Sequence, residues 1–386
     1  MGLCEPQVQR YLAGQTVKFP ELSINGRVYS HDELLELAKV YGQLPEKEQW
    51  LQPLYQFIGQ WLDDSQLIQL QTSGSTGAPK IIDVPKKALI ASAEATASFF
   101  RFRRGDTILL CLPTDFIAGK MTVVRAFVSG LNLLAIPPSQ NPLQQSGEVK
   151  IKMAPLVPMQ LERLFAGSYP ENDIVKILGR IENILLGGTA LNNRLHRKLE
   201  EYGPRCSCNC YLGYGMTETC SHIALQKIGT TTKKLFTAMA GVSCTVNSRG
   251  QLVISAPHLG IDRLVTNDIV RLHSTTQFAL LGRTDNVINS GGLKIYPEKV
   301  EEKLETILQD YRYFIHAVAD PVLGQSVTLF LESLPKKSTE LAALLSAIRT
   351  VVGKYEVPRK IICVKQFSLT SSGKIKRQKT VDNALA

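Results

Sequence analysis

The chain has 386 residues, 44% hydrophobic and 20% charged, which is enough apolar material for a sizeable core in two or three domains and too little charge for wholesale disorder. Its formal net charge is +10, with the excess densest in residues 286–386, but the basic residues there come in pairs such as Lys336-Lys337 and Lys376-Arg377, and no nucleic-acid fingerprint accompanies them. Residues 1–17 lack the apolar run of a secretory leader and no stretch has the length of a membrane span, so a cytoplasmic protein with eight reduced cysteines and no membrane insertion is expected.

Residues 1–66 carry little visible chemistry. Apolar residues recur near helical spacing over 32–39 and 45–61, and residues 24–29, with Asn25-Gly26 at their centre, read as a hairpin. Leu67, Ile68 and Leu70 predict a strand. It runs into Thr72-Ser73-Gly74-Ser75-Thr76-Gly77-Ala78-Pro79-Lys80. Glycines let a loop turn its N–H groups onto an anion, the hydroxyls add donors, and Lys80 adds charge, so the loop suits a triphosphate. Its spacing is not that of a Walker loop. A flexible Ser/Gly linker is the plain alternative.

A helix is predicted over 86–102, a strand over 106–112, a turn over 115–120, a helix over 121–129 and a strand over 132–136. Residues 154–165 read as a helix and 174–179 as an irregular connection. A short strand over 184–186 ends in Gly187-Gly188-Thr189-Ala190-Leu191, and a helix over 193–202 follows. Cys206-Ser207-Cys208-Asn209-Cys210 reads as the start of a strand over 206–212, which would send three thiols to one face. Their alternate spacing and the lack of a second Cys/His pair favour a reduced structural cluster over a metal site. The strand enters Gly213-Tyr214-Gly215-Met216-Thr217-Glu218-Thr219.

Strands alternating with helices predict a parallel α/β sheet. The loops at Thr72, Gly187 and Gly213 are all expected at carboxyl ends of strands, where such sheets bind ligands. Beyond them, strands over 250–255, 264–265 and 269–273 predict a β-rich subdomain with Asp268 between two of them. Residues 278–281 lead into Gly282-Arg283-Thr284-Asp285-Asn286, and Gly291-Gly292 predicts a hairpin turn. Helices over 297–309 and 340–352 and strands over 316–319, 328–331 and 360–364 precede Thr370-Ser371-Ser372-Gly373-Lys374.

Together these segments resemble the adenylate-forming superfamily of acyl- and aryl-CoA synthetases, peptide-synthetase adenylation domains and luciferases. The phosphate loop, the Gly187–Leu191 turn, Tyr214–Glu218, Asp268 with Gly282–Asp285, and Ser372-Gly373-Lys374 stand in that family's order. The resemblance implies an α/β fold. A large N-terminal region, 1–284, would have mainly parallel sheets, a β-rich subdomain and a shortened N-terminal subdomain. A small mobile α+β domain, 286–386, would turn on a hinge at Asp285. ATP, Mg²⁺ and CoA are implied.

The same resemblance assigns roles. Thr72, Ser73, Gly74, Ser75, Thr76, Gly77 and Lys80 would hold the β- and γ-phosphates. Gly188 and Thr189 would flank adenine, and Tyr214, followed by Gly215 and Met216, would lie against it. Thr217 would hydrogen-bond the α-phosphate, and Glu218 would place Mg²⁺. Asp268 would accept from the ribose hydroxyls, and Arg283 would pair with ribose or phosphate. Lys374 would reach the carboxylate and the α-phosphate, and Gly291 and Gly292 would leave room for the CoA thiol. Plain structural roles stand beside these: core packing for Tyr214, a helix N-terminal acid for Glu218, a turn residue for Asp268 and a surface lysine for Lys374.

Short forms of this kind resemble the o-succinylbenzoate–CoA ligases of the menaquinone pathway. That substrate carries a spectator carboxylate, a ketone and a benzene ring, so its pocket needs a cation or strong donors. Lys120 and Arg125 are the cations expected there, and Ser221 and His222 the donors. A helix-surface Arg125, a solvated Lys120 and a core His222 are the alternatives. Another aryl- or fatty-acyl-CoA ligase, a ligase loading a carrier protein, and a non-catalytic nucleotide-binding relative remain open, as does a homodimer whose partner completes the acyl pocket.

Overall fold

The computed structural model describes residues 19, 21–40, 42, 44–71, 81–167, 169–188, 191–229, 234–369 and 375–385. The phosphate-loop residues Thr72–Lys80, Thr189 and Lys374 lie outside the described residues.

β1 (Glu21–Ile24) and β2 (Arg27–Ser30) pair as a hairpin. Asn25 and Gly26 take φ values of 50° and 82°, the left-handed pair that a two-residue Asn-Gly turn needs. Helices α1 (His31–Val40) and α2 (Gln52–Leu62) follow. β3 (Leu67–Gln71) and β4 (Ile81–Pro85) then pair antiparallel, from Leu67 against Pro85 to Gln71 against Ile81. β3, the strand before the phosphate-loop candidate, therefore belongs to its own two-stranded sheet with β4, and not to the parallel sheet as expected. The β4 segment, with Ile81, Ile82 and Val84, carries the strand pattern that reveals this.

Next come α3 (Lys86–Phe100), β5 (Thr107–Leu110), α4 (Ile117–Ser129), β6 (Asn132–Ala135), β7 (Ile151–Leu156), α5 (Pro158–Ala166), α6 (Glu171–Leu178), β8 (Ile181–Leu186), α7 (Asn193–Cys206) and β9 (Asn209–Gly215). β10 (His222–Lys227), β11 (Phe236–Ala238), β12 (Ser243–Val246), β13 (Gln251–Ala256), β14 (Ile261–Ser274) and β15 (Gln277–Arg283) complete the first part. All but the β3–β4 hairpin join one 13-stranded sheet in the order β12-β13-β14-β15-β11-β10-β9-β8-β7-β5-β6-β1-β2. From β9 to β1 the pairing is parallel; from β9 through β10 to β12 it is antiparallel. The β-rich part is thus continuous with the parallel part, edge to edge.

Side-chain alternation divides the core. Ile108, Leu110, Met153 and Leu185 point toward α3 and α4, while Leu109, Ala154, Ile184 and Leu186 join the layer of α5, α6 and α7. Both faces of the parallel strands are covered, so most of their residues are buried without a clean alternation. That explains β7, whose last residues 154–156 were expected to open the helix that instead starts, as α5, at Pro158. Its run is buried on both sides, and Pro155 sits within it opposite Leu185. Three further expectations are corrected. α4 starts at Ile117, so 115–120 is not wholly a turn. Residues 174–179 belong largely to α6. Cys206 ends α7, which runs on through Pro204; Ser207, at φ 51°, caps it before β9 begins at Asn209. The three thiols are buried, and among the described residues no cluster of three or more His, Cys, Asp or Glu could hold a metal.

The last part folds around a five-stranded sheet of β16 (Ile288–Ser290), β17 (Leu293–Ile295), β18 (Tyr313–Asp320), β19 (Gly324–Glu332) and β20 (Lys360–Val364). It carries α8 (Pro297–Leu308), α9 (Ser338–Arg349) and α10 (Arg377–Leu385). Val300, Leu304 and Leu308, one stripe of α8, pack on Ile315, Leu329 and Leu331.

The start of α4 fixes where its side chains point. A Cβ on Gly119 would lie 2.6 Å from the carbonyl carbon of Pro113 and 2.8 Å from the Leu112 oxygen, so only glycine lets this helix approach that turn. Gly119→Ala is expected to destabilise the protein by about 1–3 kcal/mol through overpacking, read as a lower urea midpoint. An unchanged midpoint would contradict the close approach.

Candidate active site

β8 and β9 are neighbouring parallel strands, and their carboxyl ends carry two of the expected loops. Gly187 and Gly188 follow β8 directly, Gly188 at φ 89°. β9 ends at Gly215, and Met216 leads into a single 3₁₀ turn, Thr217–Thr219. The Thr219 hydroxyl accepts from the Met216 N–H at 2.9 Å and lies 2.8 Å from the Ser221 carbonyl, tying the turn together. Cys220 then takes φ 62°, unusual for a non-glycine residue, with its side chain buried. The chain reverses into β10. A Cβ on Gly215 would lie 2.6 Å from the His222 Cα, and one on Gly213 would lie 3.2 Å from the His222 Cβ. These two glycines let Ser221 and His222 close onto the end of β9. Thr217 is buried in the turn and Glu218 is exposed.

Tyr214, Asp268 and Arg283 meet on the antiparallel side. Asp268 lies inside β14, which is one strand over 261–274 and not the two expected. The Tyr214 hydroxyl donates to Asp268 Oδ2 at 2.6 Å. Arg283 Nη1 donates to Asp268 Oδ1 at 3.2 Å, and its Nη2 to Asp285 Oδ2 at 2.9 Å. Burial and then the Asp268 charge push the Tyr214 phenol above its ordinary range. Burial opposes the Arg283 charge, but the Asp285 hydrogen bond and the Asp268 charge outweigh it and raise its pKa. Both Asp268 oxygens are therefore occupied, so a ribose hydroxyl has to share or displace Tyr214 or Arg283. The Tyr214 ring stands edge-on to Phe278, centroids 5.2 Å apart, with Phe236 at 5.7 Å.

The residues expected on the acyl side lie on α4 and at the start of β10. Arg125 is 2% exposed, so it is not a helix-surface residue. Its Nη2 donates to Ser221 Oγ at 2.6 Å, its Nε has no partner, and among the described residues no carboxylate pairs with it. Burial pushes its pKa down to about 9, which leaves it a cation at neutral pH. Ser221 Oγ lies 3.2 Å from His222 Nδ1, and His222 Nε2 lies 3.4 Å from Thr96 Oγ1 on α3. Burial first and the Arg125 charge second push His222 well below its ordinary pKa, so its ring is neutral.

Lys120 is set apart. Five residues at about 100° each place it about 140° around α4 from Arg125. Its Nζ sits 4.6 Å from the centre of the Phe57 ring on α2. Burial lowers its pKa against the raising effect of Asp115. The structure thus brings Arg125, Ser221 and His222 together and leaves Lys120 on another face. Thr96 was not foreseen: it is one hydroxyl in an Ala/Ser-rich helix, 126 residues from its histidine partner.

The C-terminal part docks on the rest through α8. Glu305 accepts from the backbone N–H groups of Asn193 and Arg194, the exposed donors at the start of α7. Lys234 Nζ reaches Glu302 at 2.6 Å. The Gly291-Gly292 turn joins β16 to β17 with φ values of 56° and 82°, and the Gly291 N–H donates to the Leu323 carbonyl at 3.0 Å. Of the lysine loop the flanks are described: Leu369 bridges Ile375, and Arg377 pairs with the Glu301 carboxylate at 2.8 Å.

The profile of the family described as AMP-binding enzyme matches residues 20–253. The chain is 26% identical over 342 residues to a 2-succinylbenzoate–CoA ligase of Bacillus mycoides (strain KBAB4), covering 80% of this chain and 68% of that one. It is similar to the crystal structure of an acyl-CoA synthetase (AMP-forming)/AMP-acid ligase II-like protein from Dyadobacter fermentans, with 30% identity, a TM-score of 0.57 and coverage of 90% and 98%. It shares its fold with an o-succinylbenzoate coenzyme A synthetase from Bacillus subtilis in complex with ATP and magnesium ion: TM-score 0.71, 17% identity, coverage of 98% and 100%. With more than half of its length matched by that profile, and with the turn after β9 and the Asp268 cluster in place, the chain belongs to the AMP-binding enzyme family.

Proposed function

We propose that this chain is an AMP-forming acid–CoA ligase whose acid is o-succinylbenzoate. The observation that carries the substrate is Arg125: a buried guanidinium with, among the described residues, no carboxylate partner and a free Nε. A buried cation without a counter-charge is costly, and a substrate that brings a second carboxylate supplies one. A fatty acid brings only the carboxylate that reacts. Similarity to 2-succinylbenzoate–CoA ligases supports the same acid.

In the first half-reaction the reacting carboxylate oxygen bonds to the α-phosphorus of ATP and pyrophosphate leaves, giving an acyl-adenylate. In the second the CoA thiol attacks the acyl carbon, the thiol proton is lost and AMP leaves. Thr72, Ser73, Gly74, Ser75, Thr76, Gly77 and Lys80 are proposed to hold the leaving phosphates, and Thr217 the α-phosphate. Gly188, Thr189, Tyr214, Gly215 and Met216 are proposed for adenine, and Asp268 and Arg283 for ribose. Lys374 would stabilise charge where the carboxylate and α-phosphate meet, and Gly291 and Gly292 would admit the thiol.

Glu218 is a single exposed carboxylate and the described residues hold no complete metal cage. That fits Mg²⁺, which shares its oxygen ligands with phosphates and neutralises their charge. The hinge at Asp285 belongs to the same proposal. Rotation of residues 286–386 would release Glu305 from the start of α7 and Glu302 from Lys234. No helix among the described residues is long and apolar enough to cross a membrane; the cytoplasm, with its ATP and CoA, is the proposed site of action.

Pyrophosphate release is the direct test, with ATP·Mg²⁺, with and without CoA, across o-succinylbenzoate, benzoate, a medium-chain fatty acid and no acid. Release confined to o-succinylbenzoate, with its CoA thioester as product, is expected. Release with another acid in its place would keep the ligase and discard this substrate. Lys374→Ala is expected to slow adenylation by about 10²- to 10³-fold, the scale of losing one transition-state charge stabiliser. It should leave thioester formation from supplied acyl-adenylate largely intact. Unchanged adenylation would remove Lys374 from the mechanism.

A further inference from the structure

We propose that Thr96 and His222 form a hydrogen-bond relay of fixed direction that holds the Ser221 hydroxyl and so aims Arg125, making Thr96 a positioning residue for recognition of the substrate's second carboxylate. The inference rests on the reading of Arg125 given above. Its direction follows from donors and acceptors alone. Thr96 Oγ1 lies 2.9 Å from the Ser92 carbonyl, one turn back on α3. A carbonyl only accepts, so Thr96 spends its single proton there. Its oxygen is left to accept from His222 Nε2, at 3.4 Å. Nε2 therefore carries the ring proton. The ring is neutral beside a guanidinium, so Nδ1 is bare and can only accept. Ser221 Oγ, 3.2 Å away, donates to it. The Ser221 oxygen then turns only lone pairs toward Arg125 and accepts from Nη2 at 2.6 Å.

Two consequences follow. Ser221 and His222 have no proton to offer the substrate, so both act through Arg125 and not as direct donors to a carboxylate or ketone. With Nη2 tethered, the unpartnered Nε is left for a ligand. Remove the Thr96 acceptor, and the His222 proton has no partner at Nε2. Moved to Nδ1, it competes with Arg125 for the Ser221 lone pairs, and the guanidinium loses its anchor.

Thr96→Val keeps the shape of the side chain and deletes both polar roles; Thr96→Ser restores them. Nitrogen-15 NMR of the histidine rings in the full chain, with the His222 signal assigned by its loss in His222→Gln, reports which nitrogen is protonated. Wild type and Thr96→Ser are expected to show neutral His222 protonated at Nε2, and Thr96→Val a shift toward Nδ1. In parallel, Thr96→Val should raise the KM for o-succinylbenzoate by about tenfold, the scale of one hydrogen bond to a charged group, with a smaller change in kcat. Thr96→Ser should return it. A wild-type ring protonated at Nδ1, or a Thr96→Val protein with the native tautomer and KM, overturns the relay. The tautomer is read without substrate, so it decides the relay separately from the choice of acid. That choice fails instead as an absence of turnover of o-succinylbenzoate by the wild type.

Discussion

The rest of this site depends on a positive charge buried, among the described residues, without a negative one. Arg125 lies in the body of α4, nearly inaccessible, with one hydrogen bond to a serine and an orphaned Nε. Taking a guanidinium out of water costs several kcal/mol even after relaxation, and a single hydrogen bond to a charged group returns about 1.5–3. The free protein therefore holds a site whose electrostatics are incomplete. In the proposed reading an acid with a second carboxylate completes them, and a simple acyl chain does not. Specificity on this account is built into the fold as an unmet charge, and apolar shape is left to the surrounding core.

What brings that charge to the turn after β9 is the change of pairing in the large sheet. Parallel strands end at β9, and β10 returns antiparallel beside it. The reversal takes only the six residues 216–221, and it works because Gly213 and Gly215 leave no side chain between the strands. One face of the reversal carries Thr217 and Glu218, the residues proposed for phosphate and metal. Its far side carries Ser221 and His222 onto Arg125. A single turn thus joins the residues proposed for the two substrates, and Tyr214 at its start is tied by its hydroxyl to Asp268, 54 residues on.

Much of this was legible in the sequence because it is local. The turn residues 213–219, the Asn25-Gly26 hairpin, the Gly291-Gly292 turn and most helices of the alternating α/β region carry their chemistry within a few neighbours. What was not legible depends on partners far along the chain. Nothing near Asp268 says that Tyr214 and Arg283 occupy both its oxygens, and nothing near Thr96 points to His222. β7 was hidden because burial on both faces erases alternation and Pro155 argues for a break. Cys206 was hidden because α7 tolerates Pro204 two residues before its end. Lys120 and Arg125 were grouped by proximity in sequence, although helical geometry alone separates them.

The most direct measurement is a calorimetric cycle. o-Succinylbenzoate and an analogue lacking its spectator carboxylate would each be bound, with a non-reactive ATP analogue present, to the wild type and to Arg125→Met. If the buried guanidinium receives that carboxylate, the two changes are coupled by about 2 kcal/mol or more, the scale of a desolvated charge pair. The analogue should bind both proteins nearly alike. Additive losses would show that Arg125 and the second carboxylate do not meet, and would contradict the account at its centre.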